Sequence, residues 1–141
     1  MNILLVEDDY LLGRSTARLL EKTDRHRVRL TRKAADVFKH CQSGSIDIVV
    51  MDVNLPGTVW QGEEVTGIDL SRLLKSQPQT ARLPIVLLTA NAVEVNQSNL
   101  LLEAGADGIY PKPLVNANEF LSLLEQLSPG KGFQGLTVSA S

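Results

Sequence analysis

A run of apolar residues that ends on a carboxylate decides the fold: Ile46-Asp47-Ile48-Val49-Val50-Met51-Asp52. Its length and its apolar residues from Ile46 to Met51, interrupted only by Asp47, are typical of a buried strand. Segments of the same kind recur along the chain, at Ile3–Val6, His26–Thr31, Ile85–Leu88 and Gly108–Tyr110. Together they predict five strands.

Stretches with helical spacing separate and follow these strands. They are marked by Leu12, Thr16, Leu19 and Leu20, by Ala34, Phe38 and Cys41, by Leu70, Leu73 and Leu74, by Val95, Asn99 and Leu102, and by Ala117, Leu121 and Leu124. Strands that alternate with helices predict an α/β domain built of βαβ units around a mainly parallel sheet.

The composition of each strand predicts its place in the sheet. The first, third and fourth strands are almost wholly apolar, so they should be covered on both faces at the centre. The second strand carries Arg27 and Arg29, and the fifth runs into Pro111, features that suit edges. With right-handed crossovers, these constraints predict a doubly wound, flavodoxin-like sheet of order 2-1-3-4-5 with five helices. Ligands of such folds bind at the carboxyl ends of the first and third strands.

Chain length, net charge and cysteine content restrict the classes of protein to which the sequence can belong. A length of 141 residues fits one domain, which we place at residues 1–127, with a flexible Gly- and Ser-rich tail at residues 128–141. The net charge of −2 argues against direct DNA binding. The single cysteine excludes an internal disulfide. The sequence shows neither a signal peptide nor a membrane span, so we expect a cytoplasmic protein.

Polar residues follow the strands at one edge of the predicted sheet. Glu7, Asp8 and Asp9 follow the first strand, Asp52 ends the third, Thr89 ends the fourth, and Lys112 follows the fifth. Glu7, Asp8 and Asp52 should converge where the strand order reverses. Clustered carboxylates repel one another, and oxygen ligands suit Mg²⁺ (or Mn²⁺). The pattern therefore predicts a divalent metal site.

Each residue alone has an ordinary explanation. Asp8 or Asp9 would serve as the cap of the first helix. Asp52 would support the turn at residues 54–57. Thr89 would cap the helix after Asn91, and Lys112 would be a solvated or ion-paired lysine. Their joint occurrence at the strand ends of one crevice favours a functional site.

The sequence resembles the receiver domain of two-component response regulators over about Asn2 to Leu127. The likeness is specific because several motifs occur in order at the strand ends. They are Val6-Glu7-Asp8-Asp9, Met51-Asp52-Val53-Asn54-Leu55-Pro56-Gly57, Leu88-Thr89-Ala90-Asn91-Ala92, Glu103-Ala104-Gly105-Ala106-Asp107-Gly108 and Lys112-Pro113.

The resemblance implies that Asp52 is the phosphoacceptor and attacks a phosphohistidine of a partner. Asp8 and Asp52 would bind the metal through side chains and Asn54 through its backbone carbonyl, whereas Glu7 would act through a metal-bound water. Lys112 would neutralise phosphoryl oxygens, and Thr89 and the Ala90 N–H would donate hydrogen bonds. The resemblance also implies a cis bond before Pro113, which would aim Lys112 into the site, and it leaves Asp9 to cap the helix.

Family members couple phosphorylation to a Thr or Ser at the end of the fourth strand and to an aromatic residue on the fifth. Thr89 holds the first of these positions, but the second is Ile109, and strand alternation points the neighbouring Tyr110 to the opposite face. The switch would then run through the packing of Ile109, or Ile109 is simply a core residue. Asn54 and Asn91 would flank the water that hydrolyses the acyl phosphate.

Two segments depart from a minimal receiver. The stretch Gly57–Gly67 contains extra residues that include Trp60, which would shield the site, anchor a partner or cover the core edge. In the fourth helix, the core-facing stripe needs Leu102, so Leu100 and Leu101 would be surplus and available to a partner.

These observations favour a stand-alone phosphoacceptor that catalyses its own phosphorylation and dephosphorylation without being an enzyme. Its partners would be a sensor histidine kinase or a histidine phosphotransfer protein and a downstream protein target, and it would be a monomer or a weak homodimer. A pseudo-receiver that binds without phosphorylation is the alternative. A small Mg²⁺-dependent phosphohydrolase is disfavoured because no second carboxylate closely follows Asp52 to act as general acid.

Overall fold

The structure is a computed structural model that describes residues 1–22, 25–90 and 97–128. In chain order its elements are β1 (Asn2–Val6), α1 (Tyr10–Leu20), β2 (Arg27–Thr31), α2 (Ala34–Gln42), β3 (Ile48–Asp52), β4 (Val59–Trp60), β5 (Glu63–Glu64), α3 (Gly67–Ser76), β6 (Ile85–Thr89), α4 (Gln97–Ala104), β7 (Gly108–Pro111) and α5 (Ala117–Leu127).

Five of the strands form one parallel sheet in the order β2-β1-β3-β6-β7. Because β4 and β5 are an additional short pair, this is the predicted order 2-1-3-4-5, and that prediction is confirmed. The almost wholly apolar strands β1, β3 and β6 occupy the centre. The edge strand β2 exposes Arg27 and Arg29, and β7 ends on Pro111 at the other edge. The order therefore reverses between β1 and β3.

Strand alternation divides the core into two layers. One layer contains Leu4, Val49 and Leu87 and packs against α2, α3 and α4. The other contains Leu5, Val50 and Leu88 and packs against α1 and α5. Both faces of the central strands are fully covered, which is why these strands are continuous apolar runs rather than alternating ones.

Side chains at the helix starts fix where the chain turns after each strand. Asp9 caps α1, and its carboxylate accepts a hydrogen bond from the Leu12 N–H at 3.0 Å. Thr66 and Asp69 form a reciprocal capping box at α3. Such caps satisfy backbone donors that a helix leaves unpaired. The cap of α1 is therefore Asp9, which leaves Asp8 available to the crevice.

The orientation of α4 differs from the prediction. Leu102 is 82% exposed, whereas Leu100 packs against the core and Ala104 is buried. Residues four apart share a helix face, and Leu102 lies on the opposite side from the Leu100–Ala104 pair. The expectation that Leu102 faces the core, with Leu100 surplus, is therefore wrong.

Some sequence predictions fall on residues outside the described ranges. These are the start of the helix that Thr89 would cap after Asn91, the role of Asn91 in hydrolysis, the place of Val95 in the fourth helix, and the tail beyond Ser128. Across the part of the chain that the structure describes, no helix combines the length and apolarity needed to cross a bilayer.

The segment between Gly57 and Gly67 contains a two-stranded hairpin, β4–β5. Its turn has positive φ at Gln61 (53°) and at Gly62 (83°), the backbone of tight hairpin turns. Trp60 lies against Phe38 of α2, with ring centroids 4.4 Å apart. Trp60 therefore covers the core edge, which was one of the alternatives for this residue.

Close backbone approach at Gly67 predicts a sharp difference between two glycine substitutions. A Cβ at Gly67 would lie 1.9 Å from the Asp52 carbonyl oxygen, so Gly67→Ala must displace backbone at the end of β3. We expect a loss of about 1–3 kcal/mol in the free energy of unfolding, measured by urea titration.

Gly13→Ala is the matched control, because it also adds a methyl group to a buried helical glycine. There the nearest atom, at 2.7 Å, is a methyl carbon of the half-buried Leu30 side chain, which can rotate away. Helix propensity favours alanine by about 1 kcal/mol, so the net change should be small. Equal losses for the two variants would contradict this assignment.

Candidate active site at the carboxyl ends of the strands

Three strands deliver the central charged groups of the site. Glu7 directly follows β1, Asp52 ends β3, and Lys112 follows β7. The parallel register pairs Asp52 with Leu88 of β6, and the Lys112 N–H donates to the Thr89 carbonyl at 2.9 Å. Thr89 and Lys112 therefore lie at the same sheet edge as the acids, as the sequence predicts.

The Lys112 ammonium joins the two acids directly. Its Nζ lies 2.9 Å from Asp52 Oδ2 and 3.0 Å from Glu7 Oε1. Glu7 and Asp52 are each only 4% exposed. Removing one partner from such a buried set would leave an uncompensated charge, which is strongly unfavourable. The three side chains therefore form one electrostatic unit.

Both carboxylate oxygens of Glu7 already have hydrogen-bond partners within this unit. Its Oε2 accepts a hydrogen bond from the Asp9 N–H at 3.1 Å while Oε1 contacts Lys112. Burial, followed by the proximity of the Asp52 carboxylate, raises the pKa of Glu7 above its ordinary value. Burial alone would lower the pKa of Lys112, but its contacts with Asp52 and Glu7 outweigh burial and raise it.

Asp52 is held on both oxygens. Its Oδ1 accepts a hydrogen bond from the Asn54 N–H at 3.1 Å, and its Oδ2 faces Lys112. The hydrogen bond from the Asn54 N–H shows that Asp52 supports the turn after β3, which was the structural explanation offered for this residue. The same carboxylate also lies beside the half-buried Lys112 ammonium, so the structural and functional interpretations are compatible.

The remaining predicted groups lie around this centre with different exposure. Asp8 is half-exposed, and Asn54 and Ala90 are exposed. Asp8 lines two neighbouring clefts of about 390 and 470 Å³. Thr89 is 5% exposed at the end of β6. The crevice is therefore open on the Asp8 and Asn54 side and closed on the Glu7 side.

The described side chains include no group of three or more Asp, Glu, His or Cys residues placed to hold a metal ion. The oxygen atoms of Asp8, Asp52 and the Asn54 carbonyl still suit Mg²⁺, which proteins commonly bind through one or two carboxylates with several waters retained. The donor chemistry therefore fits the ion, although Glu7 is committed to Lys112 and Asp9.

The fifth strand of the sheet, β7, separates two side chains onto opposite faces. Ile109 packs against the layer that contains α3 and α4, and Tyr110 packs against the layer that contains α5. Tyr110 makes an edge contact with Phe120 and donates a hydrogen bond to Glu119. After β7, the Lys112–Pro113 peptide bond is cis. The aromatic ring thus faces away from the Ile109 side, as alternation predicts.

A profile of the response regulator receiver domain matches residues 3–125 of the chain. The chain belongs to the response regulator receiver family. It is 38% identical over 117 residues to the aerobic respiration control sensor protein ArcB of Escherichia coli K12, and 33% identical over 113 residues to the swarming motility regulation protein RssB of Serratia marcescens. These matches cover 81% and 80% of this receiver, but only 14% of ArcB and 47% of RssB.

Solved structures agree with this membership. The receiver domain of a sensor histidine kinase from Pseudomonas aeruginosa PAO1, which has a magnesium ion coordinated in its active-site cleft, shares 26% identity with this receiver at a TM-score of 0.71. The match covers 89% of this chain and 95% of that one. The chemotaxis protein CheY4 of Vibrio cholerae, at 22% identity and a TM-score of 0.72 over 89% and 97% of the two chains, shares the fold.

Two features of the site escape sequence reasoning. The direct contact between Glu7 and Lys112 joins residues 105 positions apart, and nothing local in the sequence encodes that distance. Gly67 sets how closely α3 approaches Asp52. A signal for Gly67 does exist, because it lies just inside the capping box of Thr66 and Asp69, where a helix begins.

The raised pKa of Glu7 predicts a specific pH dependence of stability. The folded receiver binds this proton more tightly than the unfolded chain does. Its contribution is therefore present in full below the unfolded pKa and is lost as the pH rises through the folded pKa. In Glu7→Gln this loss disappears, so the stability of the variant relative to the parent should increase with pH over that range.

Urea unfolding in a metal chelator between about pH 4 and pH 8 measures the difference. Glu63→Gln, the same chemical change at an exposed residue of β5, is the control. A difference between Glu7→Gln and the parent that stays constant with pH would show that Glu7 is not the titrating group.

Proposed function

We propose that this receiver accepts a phosphoryl group on Asp52 in a histidine-to-aspartate phosphorelay. The observation that carries the proposal is the position of the Asp52 carboxylate. It is buried, oriented by the Asn54 N–H on one oxygen, and within 2.9 Å of an ammonium group on the other. Family membership supports the same role.

The chemistry is an in-line displacement at phosphorus. One Asp52 carboxylate oxygen forms the new O–P bond while the P–N bond to the donor imidazole breaks, and the imidazole leaves as the neutral or protonated ring. Phosphoryl transfer depends mainly on alignment and on compensation of charge. The Asn54 N–H aligns the carboxylate, and the Lys112 ammonium offsets negative charge on the phosphoryl oxygens.

Divalent metal fits the same crevice. The Asp8 and Asp52 carboxylates and the Asn54 carbonyl would hold Mg²⁺, while Glu7 would help from the buried side. Bound there, the ion supplies positive charge next to the phosphoryl oxygens. Mn²⁺ takes similar oxygen ligands and would substitute for it. The magnesium found in the Pseudomonas receiver supports this part of the proposal.

The groups at the end of β6 complete the anion site. The Thr89 hydroxyl and the Ala90 N–H would donate hydrogen bonds to phosphoryl oxygens. The donor would be a sensor histidine kinase or a histidine phosphotransfer protein, which agrees with the similarity to ArcB, a sensor protein. Hydrolysis of the acyl phosphate within the same site would restore the carboxylate, with Asn54 beside the reacting group.

Intact mass spectrometry after incubation with acetyl phosphate and Mg²⁺ tests the proposal. The parent should gain one phosphoryl adduct, because the small donor needs no protein partner. Asp52→Asn should gain none, since its amide is a poor nucleophile. A chelator should abolish the adduct on the parent.

Asp9→Asn is the matched control, because asparagine caps helices as well as aspartate does and the Asp9 side chain accepts its hydrogen bond from the Leu12 N–H at the start of α1. It should be phosphorylated like the parent. An adduct that persists in Asp52→Asn would overturn the assignment of the acceptor. A parent that stays unmodified under every metal condition would instead favour the pseudo-receiver.

The response to phosphorylation would begin at Thr89 and pass through Ile109. Thr89 lies at the site, and Ile109 packs in the layer that contains Leu100 of α4 and Leu73 of α3. Movement of Thr89 towards the phosphoryl group would change the space available to Ile109. NMR spectra of the phosphorylated samples above should then show shift changes at Ile109 and in α4. Changes confined to the residues around Asp52 would contradict this route.

A further inference from the structure

A cleft of about 470 Å³ lies beside the phosphorylation site, between the start of α2 and the β4–β5 hairpin. We call it the hairpin cleft. Its walls that matter here are Arg32, Lys33 and Ala35 on the α2 side, Pro56 and Val59 on the hairpin side, and Asp8 at the inner end. A volume of about 470 Å³ lies within the range of clefts that bind ligands.

The α2 side of the hairpin cleft is basic for no structural reason. The stretch Arg25–Lys33 contains Arg25, Arg27, Arg29, Arg32 and Lys33 and no carboxylate, although the whole protein has a net charge of −2. Arg27 and Arg29 lie on the edge strand, where charge discourages stray pairing. Arg32 and Lys33 follow that strand, and within the described residues their side chains form no hydrogen bond or ion pair.

On the hairpin side, the cleft has an exposed apolar side chain, Val59, whose backbone belongs to the β4–β5 hairpin. Val59 is 53% exposed, which is unusual for a β-branched side chain on a strand. The adjacent Trp60 faces the other way and packs on Phe38. The hairpin base is closed by the Val65 N–H, which donates to the Thr58 carbonyl at 2.9 Å. The position of Val59 is therefore fixed by the hairpin backbone and by the packing of Trp60, while its own side chain stays exposed.

We infer that the hairpin cleft binds an acidic, aliphatic peptide segment of a partner protein. Carboxylates of the segment would pair with Arg32 and Lys33, and an aliphatic side chain would pack on Val59 and Pro56. A small anion would use only the two cations and would leave the apolar wall exposed. The combination of charge and apolar surface therefore fits a peptide better than an inorganic ion.

The negative groups of the hairpin cleft define how the segment lies. Asp8 stands at its inner end, and Glu64, the cross-strand neighbour of Val59, stands beyond its outer wall. Acidic side chains of the segment must avoid both, so they lie along the α2 side between them. The groups that would contact the segment, Arg32, Lys33, Pro56 and Val59, have no part in the phosphoryl chemistry proposed at Asp52.

Titration of the ¹⁵N-labelled protein with a synthetic peptide of alternating glutamate and leucine tests the inference. Shift changes should concentrate at residues 32–35 and 57–59. The double variant Arg32→Glu/Lys33→Glu should weaken binding by roughly tenfold, as expected for reversal of two exposed ion pairs. Val59→Asp should weaken it as well, since it replaces the apolar contact with a like charge.

Matched control variants distinguish binding at the hairpin cleft from non-specific binding of the peptide elsewhere on the surface. Arg27→Glu/Arg29→Glu makes the same charge change on the β2 edge, and Leu102→Asp makes a comparable apolar-to-acidic change on α4. Both should bind within about twofold of the parent. All these positions are exposed, so the substitutions should leave the fold intact, and dispersed spectra will confirm that each variant is folded.

Several results would overturn the inference. Equal binding of a glutamine-for-glutamate peptide would exclude the charged contact. Equal loss in the Arg27/Arg29 variant would show non-specific electrostatics, and inorganic phosphate that reproduces the same shifts would show a simple anion site. The titration contains no phosphoryl donor, so its failure would leave the proposal for Asp52 untouched, and failure of phosphorylation would leave this result untouched.

Discussion

A single ammonium group between two buried carboxylates holds the functional edge of this receiver together. Lys112 contacts Glu7 and Asp52 at once, and the three residues come from the ends of three strands. Burial makes each charge costly by itself, so the set is stable only when all three are aligned. Two carboxylates and one ammonium leave an excess negative charge. A divalent cation would compensate that charge, and an electrophilic phosphorus would react with the Asp52 carboxylate.

The composition and the register of the strands allow the three charged groups to align. The strands β1, β3 and β6 have buried apolar interiors on both faces, and acidic or hydroxyl side chains occur at or directly after their carboxyl ends. A shift of one residue in the register of β3 would rotate Asp52 out of the edge and place Met51 there. Gly67 then lets α3 begin against the Asp52 carbonyl. Packing and chemistry are thus set by the same few backbone positions.

Much of this arrangement follows from local sequence, because apolar runs and helical spacing report burial directly. The strand order and the opposite orientations of Ile109 and Tyr110 were predictable from strand composition and alternation. Residue type alone left Asp8 and Asp9 as equal candidates for the cap of α1, and the resemblance to the family pointed to Asp9, which is the cap. Leu102 was not, because three consecutive leucines allow more than one face of a short helix to meet the core. The β4–β5 hairpin was also missed, since strands of two residues are too short to show a period. The Glu7–Lys112 contact could not be predicted from local sequence, because it forms only when β1 and β7 are placed in the same sheet.

The most direct test of the central claim is an NMR titration of the Lys112 ammonium in the parent, in Glu7→Gln and in Asp52→Asn. If Lys112 is held by both carboxylates, its pKa in the parent lies above the ordinary value of 10.5, and each substitution lowers it because one of the two contacts that raise it is lost. A Lys112 pKa that is the same in all three proteins would contradict the account. It would mean that the ammonium does not join these acids.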